Sequence, residues 1–317
     1  MNLSIEHYIA PKTLGDLWAY LHQQDTPTGF LYGGLDLFPH TTQHTPPTTW
    51  IDLTRITELA SIEEHEGHIA IGASTTYTSL CHTPLLQRHA HALVQAASCV
   101  QSWQMRNRIT IGETIALASS EACILPALYA LNASVKLEDG YKERTLPISE
   151  YLQMTERNPK EVLTAIILPK QAIHSVFLMR GLHNNLPMAK VSVAVSCIIQ
   201  EGVYRQVRIA LGAVSSKIIR AVTAEGLMEG QPITHLPLID RAADEARRAA
   251  RPSSDIYSNA RFRKWIVGIL TSRAFQMMIA NAQTLVVSQD PETQTEDTEE
   301  PVSPHTQEET VTDTPKE

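Results

Sequence analysis

Apolar positions in the first 60 residues follow helical spacing first and then strand spacing. Leucines recur at helical intervals directly after Thr13, a residue suited to capping the first turn of a helix. Short apolar runs at 29–32 and 50–53 predict two strands separated by a loop rich in Thr and Pro. With an apolar start to the chain, residues 1–55 are predicted to form a small β-α-β-β unit.

The next hundred residues mix both kinds of signal. Alternating or continuous apolar runs predict strands, and longer runs with a period near 3.6 predict helices. The predicted strands are His68–Gly72, 106–111, Ser134–Glu138 and Val162–Pro169. The predicted helices are a short one capped at Ser74 and Thr75, a long one at 84–101 and a third at 125–131. We therefore expect a two-lobed domain over residues 1–170, with lobes at about 1–60 and 61–170.

The pattern changes near residue 172, where strands come before helices. Three apolar runs predict strands, and Glu201-Gly202 predicts a tight hairpin between the second and third. These strands lie at 175–182, 191–200 and 204–214, and predicted helices follow at 217–229, 236–250 and 259–283. A run of strands followed by helices indicates an α+β domain, here a three-stranded antiparallel sheet with helices over residues 172–284.

Acidic charge is concentrated at the end of the chain. Residues 289–317 contain ten acidic residues and one lysine, a net charge of −9. The whole chain carries −8, so residues 1–288 carry +1 and present no basic bias that would favour nucleic acid as a partner. The same segment has few apolar residues, so we expect 289–317 to be a disordered tail.

Other compositional features exclude several classes of protein. No apolar run approaches the roughly 20 residues that span a bilayer, and the start of the chain lacks the pattern of a signal peptide. The four cysteines are widely spaced, without the C-x-x-C pattern of zinc or iron–sulfur sites. We expect a cytoplasmic protein without a metal site, and no arrangement of nucleophile, base or paired carboxylates indicates catalytic residues.

Two glycine-centred segments are the candidate binding elements. The first, 31–37, follows a predicted strand and contains Gly33-Gly34. The second, 106–116, joins a β-branched run to a single glycine, Gly112. Adjacent backbone N–H groups in glycine turns can form an anion site suited to a pyrophosphate, although an ordinary turn is the simpler interpretation of either segment alone.

In this order and over residues 6–280, these segments resemble the FAD-binding medium subunit of the molybdenum hydroxylases. The family includes xanthine dehydrogenases, carbon monoxide dehydrogenase and quinoline or nicotinate oxidoreductases. Further matching motifs are Tyr8-Ile9-Ala10-Pro11 at the start, Arg144-Thr145-Leu146-Pro147 at the end of the flavin domain, and Ala210-Leu211-Gly212-Ala213, Arg220-Ala221 and Ala260-Arg261-Phe262-Arg263 in the C-terminal domain. The resemblance implies a two-lobed FAD-binding domain of the PCMH type followed by an α+β C-terminal domain.

The resemblance also implies the function and the residues at the cofactor. FAD would take electrons from [2Fe–2S] clusters in a small partner subunit and pass them to NAD or another acceptor, while a large partner subunit would hold the molybdenum cofactor. The two glycine segments would line the FAD pyrophosphate and ribityl chain. The residues carried over by position are Leu31, Tyr32, Gly33, Gly34, Leu35, Asp36, Thr110, Ile111, Gly112, Glu113, Thr114 and Ser119.

Four positions depart from the family pattern. Leu35 replaces a threonine, Glu113 the second glycine, Thr114 an asparagine and Cys123 an aspartate. A carboxylate near a pyrophosphate is unfavourable unless it is directed away or paired, so these changes predict weaker FAD binding. Two alternatives therefore stay open. The chain could be a flavin-poor structural subunit that keeps the fold and the partner surfaces, or a stand-alone flavoenzyme of the same fold.

Overall fold

A computed structural model describes residues 6–23, 28–33, 47–155, 157–181, 189–256 and 258–287, with side chains described as far as residue 282. The predicted tail at 289–317 therefore lies outside the described residues. Within the described residues, no helix combines the length and the apolar character needed to cross a membrane.

The first lobe is a parallel sheet with one helix, in the predicted order of elements. Strands β1 (His7–Ile9), β2 (Thr28–Leu31) and β3 (Thr49–Asp52) pair in the order β1-β3-β2. Helix α1 (Leu14–Gln23) connects β1 to β2, and its Leu17 and Leu21 are buried. The Asp16 N–H donates to Thr13 Oγ1 at 3.1 Å, which confirms the predicted cap. The β-α-β-β unit is thus confirmed.

The second lobe is a five-stranded antiparallel sheet. Its strands are β4 (Ile62–Glu64), β5 (His68–Gly72), β6 (Ser134–Glu138), β7 (Glu143–Pro147) and β8 (Val162–Pro169), in the order β4-β5-β8-β6-β7. Strands β5, β6 and β8 were predicted with these bounds. The sequence missed β4 and β7 because they lie at the edges of the sheet and are mostly exposed and polar, without an apolar run.

Helices connect the strands of this lobe. Two predictions for this region were wrong, one of a helix and one of a strand. The helices are α2 (Tyr77–His82), α3 (Pro84–His89), α4 (His91–Ser98), α5 (Trp103–Arg106), α6 (Ile111–Leu117), α7 (Ile124–Ala130) and α8 (Ile148–Tyr151). The single helix predicted at 84–101 is divided at Ala90, whose backbone leaves the helical region. The strand predicted at 106–111 does not form, and the segment instead joins α5 to α6.

The C-terminal sheet is antiparallel, in the order β12-β11-β10-β9. Its strands are β9 (His174–Gly181), β10 (Ala189–Gln200), β11 (Val203–Gly212) and β12 (Ile219–Arg220). The predicted hairpin at Glu201-Gly202 is confirmed, with both residues at positive φ, 52° and 72°. Strand β12 adds a fourth strand to the three expected, and it takes up residues that were assigned to the start of a helix at 217–229.

Both faces of this sheet are covered. Helices α9 (Val222–Met228), α10 (Pro237–Ala249) and α11 (Ala260–Val287) pack with Val191, Val193 and Val195 of β10 in one core. Ala194 faces the other way and joins the core of the preceding domain, where Ser196 Oγ donates to the Ala130 carbonyl at 2.6 Å. Because both faces are covered, β10 has a nearly continuous apolar sequence.

Candidate functional site

The two glycine segments lie against each other. An ideal Cβ built on Gly33 would lie 2.3 Å from the Arg108 carbonyl oxygen and 2.8 Å from a carboxylate oxygen of Glu113. Both distances are shorter than a Cβ tolerates, so the backbones approach this closely only because residue 33 is glycine. The structure therefore brings together the described part of the first segment and the predicted second segment.

Tyr32 connects the two lobes below this contact. Its ring is buried, and its Oη accepts a hydrogen bond from the Leu163 N–H of β8 at 3.0 Å. Burial raises the pKa of the Tyr32 hydroxyl well above its usual value. A Cβ on Gly112 would lie 2.9 Å from the Tyr32 ring and 2.6 Å from the Ala73 carbonyl oxygen, so Gly112 leaves room for the ring. Leu31, at the end of β2, is also buried.

The second segment begins helix α6 and uses its N–H groups within the protein. Thr110 is the N-cap, and its Oγ1 accepts from the Glu113 N–H at 3.2 Å. The Ile111 and Gly112 N–H groups donate to the carbonyls of Thr75 and Ala73, and the Thr114 N–H donates to the Thr110 carbonyl. These bonds also explain why no strand forms here, because the segment's donors pair with a turn rather than with a neighbouring strand.

The side chains of residues 110–115 are buried as well. Glu113 is completely buried, with its carboxylate against Gly33. The Thr114 hydroxyl lies 2.9 Å from the Tyr77 hydroxyl inside the lobe. Ile111 is also completely buried. Thus the carboxylate that the sequence placed near a cofactor is directed into the protein, beneath the turn that follows β2.

The chain becomes partly accessible where this segment ends, in the run 116–122. Helix α6 ends at Leu117, its C-cap Ala118 has positive φ (55°), and residues 116–122 are all half-buried. Ser119 belongs to this run, and its Oγ accepts from the Glu121 N–H at 3.3 Å. The Ser120 carbonyl accepts from the Ala213 N–H at 2.7 Å. The run therefore lies where the FAD-binding domain meets the C-terminal sheet.

Two further side chains border this run. Arg157 Nη1 donates to the Ala116 carbonyl at 2.7 Å, and its guanidinium lies 4.3 Å from the centre of the Tyr151 ring. Cys123 is buried against Met179, and burial raises the pKa of its thiol. Sequence analysis missed Arg157 because it lies in a polar segment without a motif, some 40 residues away from the helix end it contacts.

Gly34, Leu35 and Asp36 lie outside the described residues. Of the twelve residues predicted at the cofactor, the structure thus places Tyr32 and Gly33 beside the segment 110–114, Leu31 at the end of β2 and Ser119 just after α6. Their roles in FAD binding stay predictions.

Comparison with known families covers almost the whole folded chain. The family described as "FAD binding domain in molybdopterin dehydrogenase" matches residues 3–171, more than half of the chain. The family described as "CO dehydrogenase flavoprotein C-terminal domain" matches residues 184–278. The two matches follow one another in the same order as the two structural parts.

Individual relatives agree with these matches. The carbon monoxide dehydrogenase medium chain of Hydrogenophaga pseudoflava is 30% identical over 275 residues, covering 84% of this chain and 94% of the relative. The nicotinate dehydrogenase FAD-subunit of Eubacterium barkeri is 29% identical, covering 78% of this chain and 88% of the relative.

Solved structures show the same likeness. A carbon monoxide dehydrogenase from Hydrogenophaga pseudoflava that lacks the Mo-pyranopterin moiety of its cofactor superimposes with a TM-score of 0.80 at 29% identity, over 88% of this chain and 99% of that one. Quinoline 2-oxidoreductase from Pseudomonas putida 86 shares the fold, with a TM-score of 0.80 at 24% identity over 89% of this chain and 99% of that one. The chain therefore belongs to the family of FAD-binding subunits of molybdenum hydroxylases, oxidoreductases in which this subunit's cofactor is FAD.

Proposed function

We propose that the chain carries FAD within a molybdenum hydroxylase complex and connects [2Fe–2S] clusters of a small partner subunit to NAD or another electron acceptor. The observation that carries the proposal is the contact of Gly33 with Arg108 and Glu113, in a chain that two consecutive family matches cover. Bound FAD would supply the electron-transfer chemistry, which side chains alone cannot provide. A large partner subunit would hold the molybdenum cofactor.

The residues present fit FAD at the surface between the first glycine turn and the run 116–122. The N–H groups of residues 111–114 already have acceptors, so in this proposal they shape the site rather than donate to phosphate. The donors would be backbone N–H groups of the first glycine segment and the Ser119 hydroxyl. Arg157, which holds the end of α6, and the exposed Arg108 would offset the negative charge of the pyrophosphate.

The alternative of a flavin-poor structural subunit is not favoured by the comparisons. The relatives at 29–30% identity are a medium chain and a subunit named for FAD. In this proposal the departures from the family pattern change only the affinity of a flavoprotein for FAD. These departures are Leu35, Glu113, Thr114 and Cys123. In this proposal the stand-alone flavoenzyme is also set aside, because the relatives at 29–30% identity are named as a subunit and a medium chain rather than as whole enzymes.

The test is the chain expressed with its large and small partner subunits. We expect the purified complex to contain FAD in equimolar amount with this chain. The flavin absorbance should bleach when the complex is reduced and should recover when an electron acceptor is added, with NAD as the first one tried. A complex that assembles but contains no flavin, even when FAD is supplied in excess, would overturn the proposal and support the structural alternative. Flavin that is present but never bleaches would overturn the electron-transfer role alone.

A further inference from the structure

An open groove lies between helices α10 and α11 of the C-terminal domain, away from the flavin site. It consists of two adjoining cavities of about 580 Å³ and 500 Å³. Arg247 of α10 and Trp265 of α11 line both cavities, so the groove is continuous along the two helices.

The first cavity combines positive charge with exposed aromatic rings. Its lining includes four cationic residues, and none of the described residues that line it is acidic; the cations are Arg247, Arg248, Arg261 and Lys264. Trp265 is 54% exposed and Phe262 36% exposed, and their ring centres lie 6.1 Å apart. Exposed aromatic rings among cations are typical of an interaction surface rather than of a solvated helix face.

Two of the four cations have acidic neighbours on their own helix. Arg247 pairs with Asp244 at 2.9 Å, and Arg248 pairs with Glu245. Both arginines remain largely exposed, with 44% and 69% of their side chains accessible. Exposed ion pairs of this kind contribute at most about 1 kcal/mol to the free energy of folding. These arginines can therefore exchange their partners for other carboxylates with little loss of stability.

We propose that the acidic segment 289–317 of this same chain docks in the first cavity of the groove, since the second cavity is lined by Asp240 and Asp244 as well as by cations. The segment carries a net charge of −9, opposite in sign to the four cations of the first cavity. It also contains Pro301 directly after Glu299-Glu300, and Pro304 three residues further on. Prolines pack well on exposed aromatic rings, so this part matches both the charge and the rings at Trp265.

The length of the chain allows this contact. The described part of α11 ends at Val287, 22 residues after Trp265, which corresponds to about 33 Å of helix. A chain that turns back from Val287 covers this distance in about 10 extended residues, so residues from about 298 onward can reach Trp265. Because the segment is tethered, its effective concentration at the groove is in the millimolar range, so weak contacts suffice.

Docking of the segment covers the aromatic pair and the cations. The contact is held by exposed charges, so it weakens as salt shortens the Debye length from about 10 Å at 0.1 M to about 3 Å at 1 M. The inference does not depend on FAD, because the groove and the flavin site are formed by different residues.

The first test is zero-length crosslinking of the full chain with a carbodiimide, which joins a carboxylate to the Lys264 amine. We expect an amide between Lys264 and a carboxylate within residues 298–317, and its loss at about 1 M NaCl. In Lys264→Arg the charge remains but the amine is absent, so this crosslink should disappear while the others remain. A mixture of ¹⁵N-labelled and unlabelled chains distinguishes docking within a chain from docking between chains.

The second test is charge reversal in the full chain. Arg261→Glu combined with Lys264→Glu should increase cleavage of the segment by a Glu-specific protease about tenfold at low salt, since the groove no longer protects it. Lys12→Glu with Lys142→Glu, which reverses two cations outside the groove, should leave the rate unchanged.

Specific outcomes would overturn the inference. These are equal cleavage rates in the parent and both double variants, crosslinks in which labelled and unlabelled chains combine in statistical proportion, or crosslinks from Lys264 only to a partner subunit when the complex is assembled. The last two results would assign the groove to a second copy or to a partner instead.

Discussion

Substitution of Gly33 by alanine tests whether the contact between the two glycine segments holds the site together. The added Cβ would lie 2.3 Å from the Arg108 carbonyl oxygen, whereas real Cβ contacts are essentially never shorter than 3.0 Å. The two segments must therefore separate by about 0.7 Å, and the obstacle is backbone, which cannot rotate away. Overpacking of this kind costs about 1–3 kcal/mol, and we expect the upper end here.

Two effects of Gly33→Ala can be measured, the loss of thermal stability and the loss of flavin. At about 2–4 °C per kcal/mol for a protein of this size, the midpoint of thermal unfolding should fall by about 6–12 °C. The purified chain should also lose flavin, because the first glycine turn moves away from the second segment. Gly67→Ala is the matched control. A Cβ there meets no atom within 4 Å, so both the unfolding midpoint and the flavin content should match the parent.

The results separate the packing argument from the assignment of the site. If Gly33→Ala unfolds within about 1 °C of the parent, the argument from close approach is refuted. If Gly33→Ala is destabilised as expected but keeps its full flavin content, the packing argument holds and FAD does not bind between these segments.

Three further variants test individual side chains near the site. Glu113→Gln changes a completely buried side chain that is directed beneath the first glycine turn rather than towards the cofactor, so the Kd for FAD should stay within about twofold of the parent, and a tenfold fall would show that this carboxyl group opposes the cofactor. Tyr32→Phe removes the acceptor of the Leu163 N–H and should cost about 1–3 kcal/mol of unfolding free energy, measured by denaturant titration; a loss below about 0.5 kcal/mol would contradict the role of this bond between lobes. Arg157→Gln should weaken FAD binding measured by fluorescence titration, more strongly at low salt, while the exposed control Arg55→Gln should not; equal effects of the two would remove Arg157 from the site.

Most individual elements could be predicted from the sequence because their signals are local. Strand β6 alternates apolar and polar residues and ends at Asp139-Gly140, where Asp139 accepts two backbone N–H bonds and Gly140 takes φ of 88°. The helix after Thr13 and the hairpin at Glu201-Gly202 depend likewise on residues within a few positions. The family resemblance also came from motif order, and the comparisons confirmed it.

The candidate site could be predicted only in part. The sequence identified the two glycine segments, and the structure brings Gly33 and Gly112 into one region with Tyr32 between them. The sequence could not show that backbone atoms occupy the space beside these glycines, because the carbonyls of Arg108 and Ala73 are distant in the chain from Gly33 and Gly112, respectively. The domain boundaries and the fate of the acidic tail also stay predictions.

The tertiary structure decided the backbone conformation and the side-chain orientation of residues whose partners are distant in sequence. The β-branched run before Gly112 has strand propensity, yet it starts a helix because the Ala73 and Thr75 carbonyls accept its N–H groups. Glu113, which the sequence placed near the cofactor, is buried because the turn at Gly33 covers it. Local sequence determines what a segment can become. Which conformation forms depends on the backbone donors, acceptors and packing surfaces that the rest of the fold places beside it.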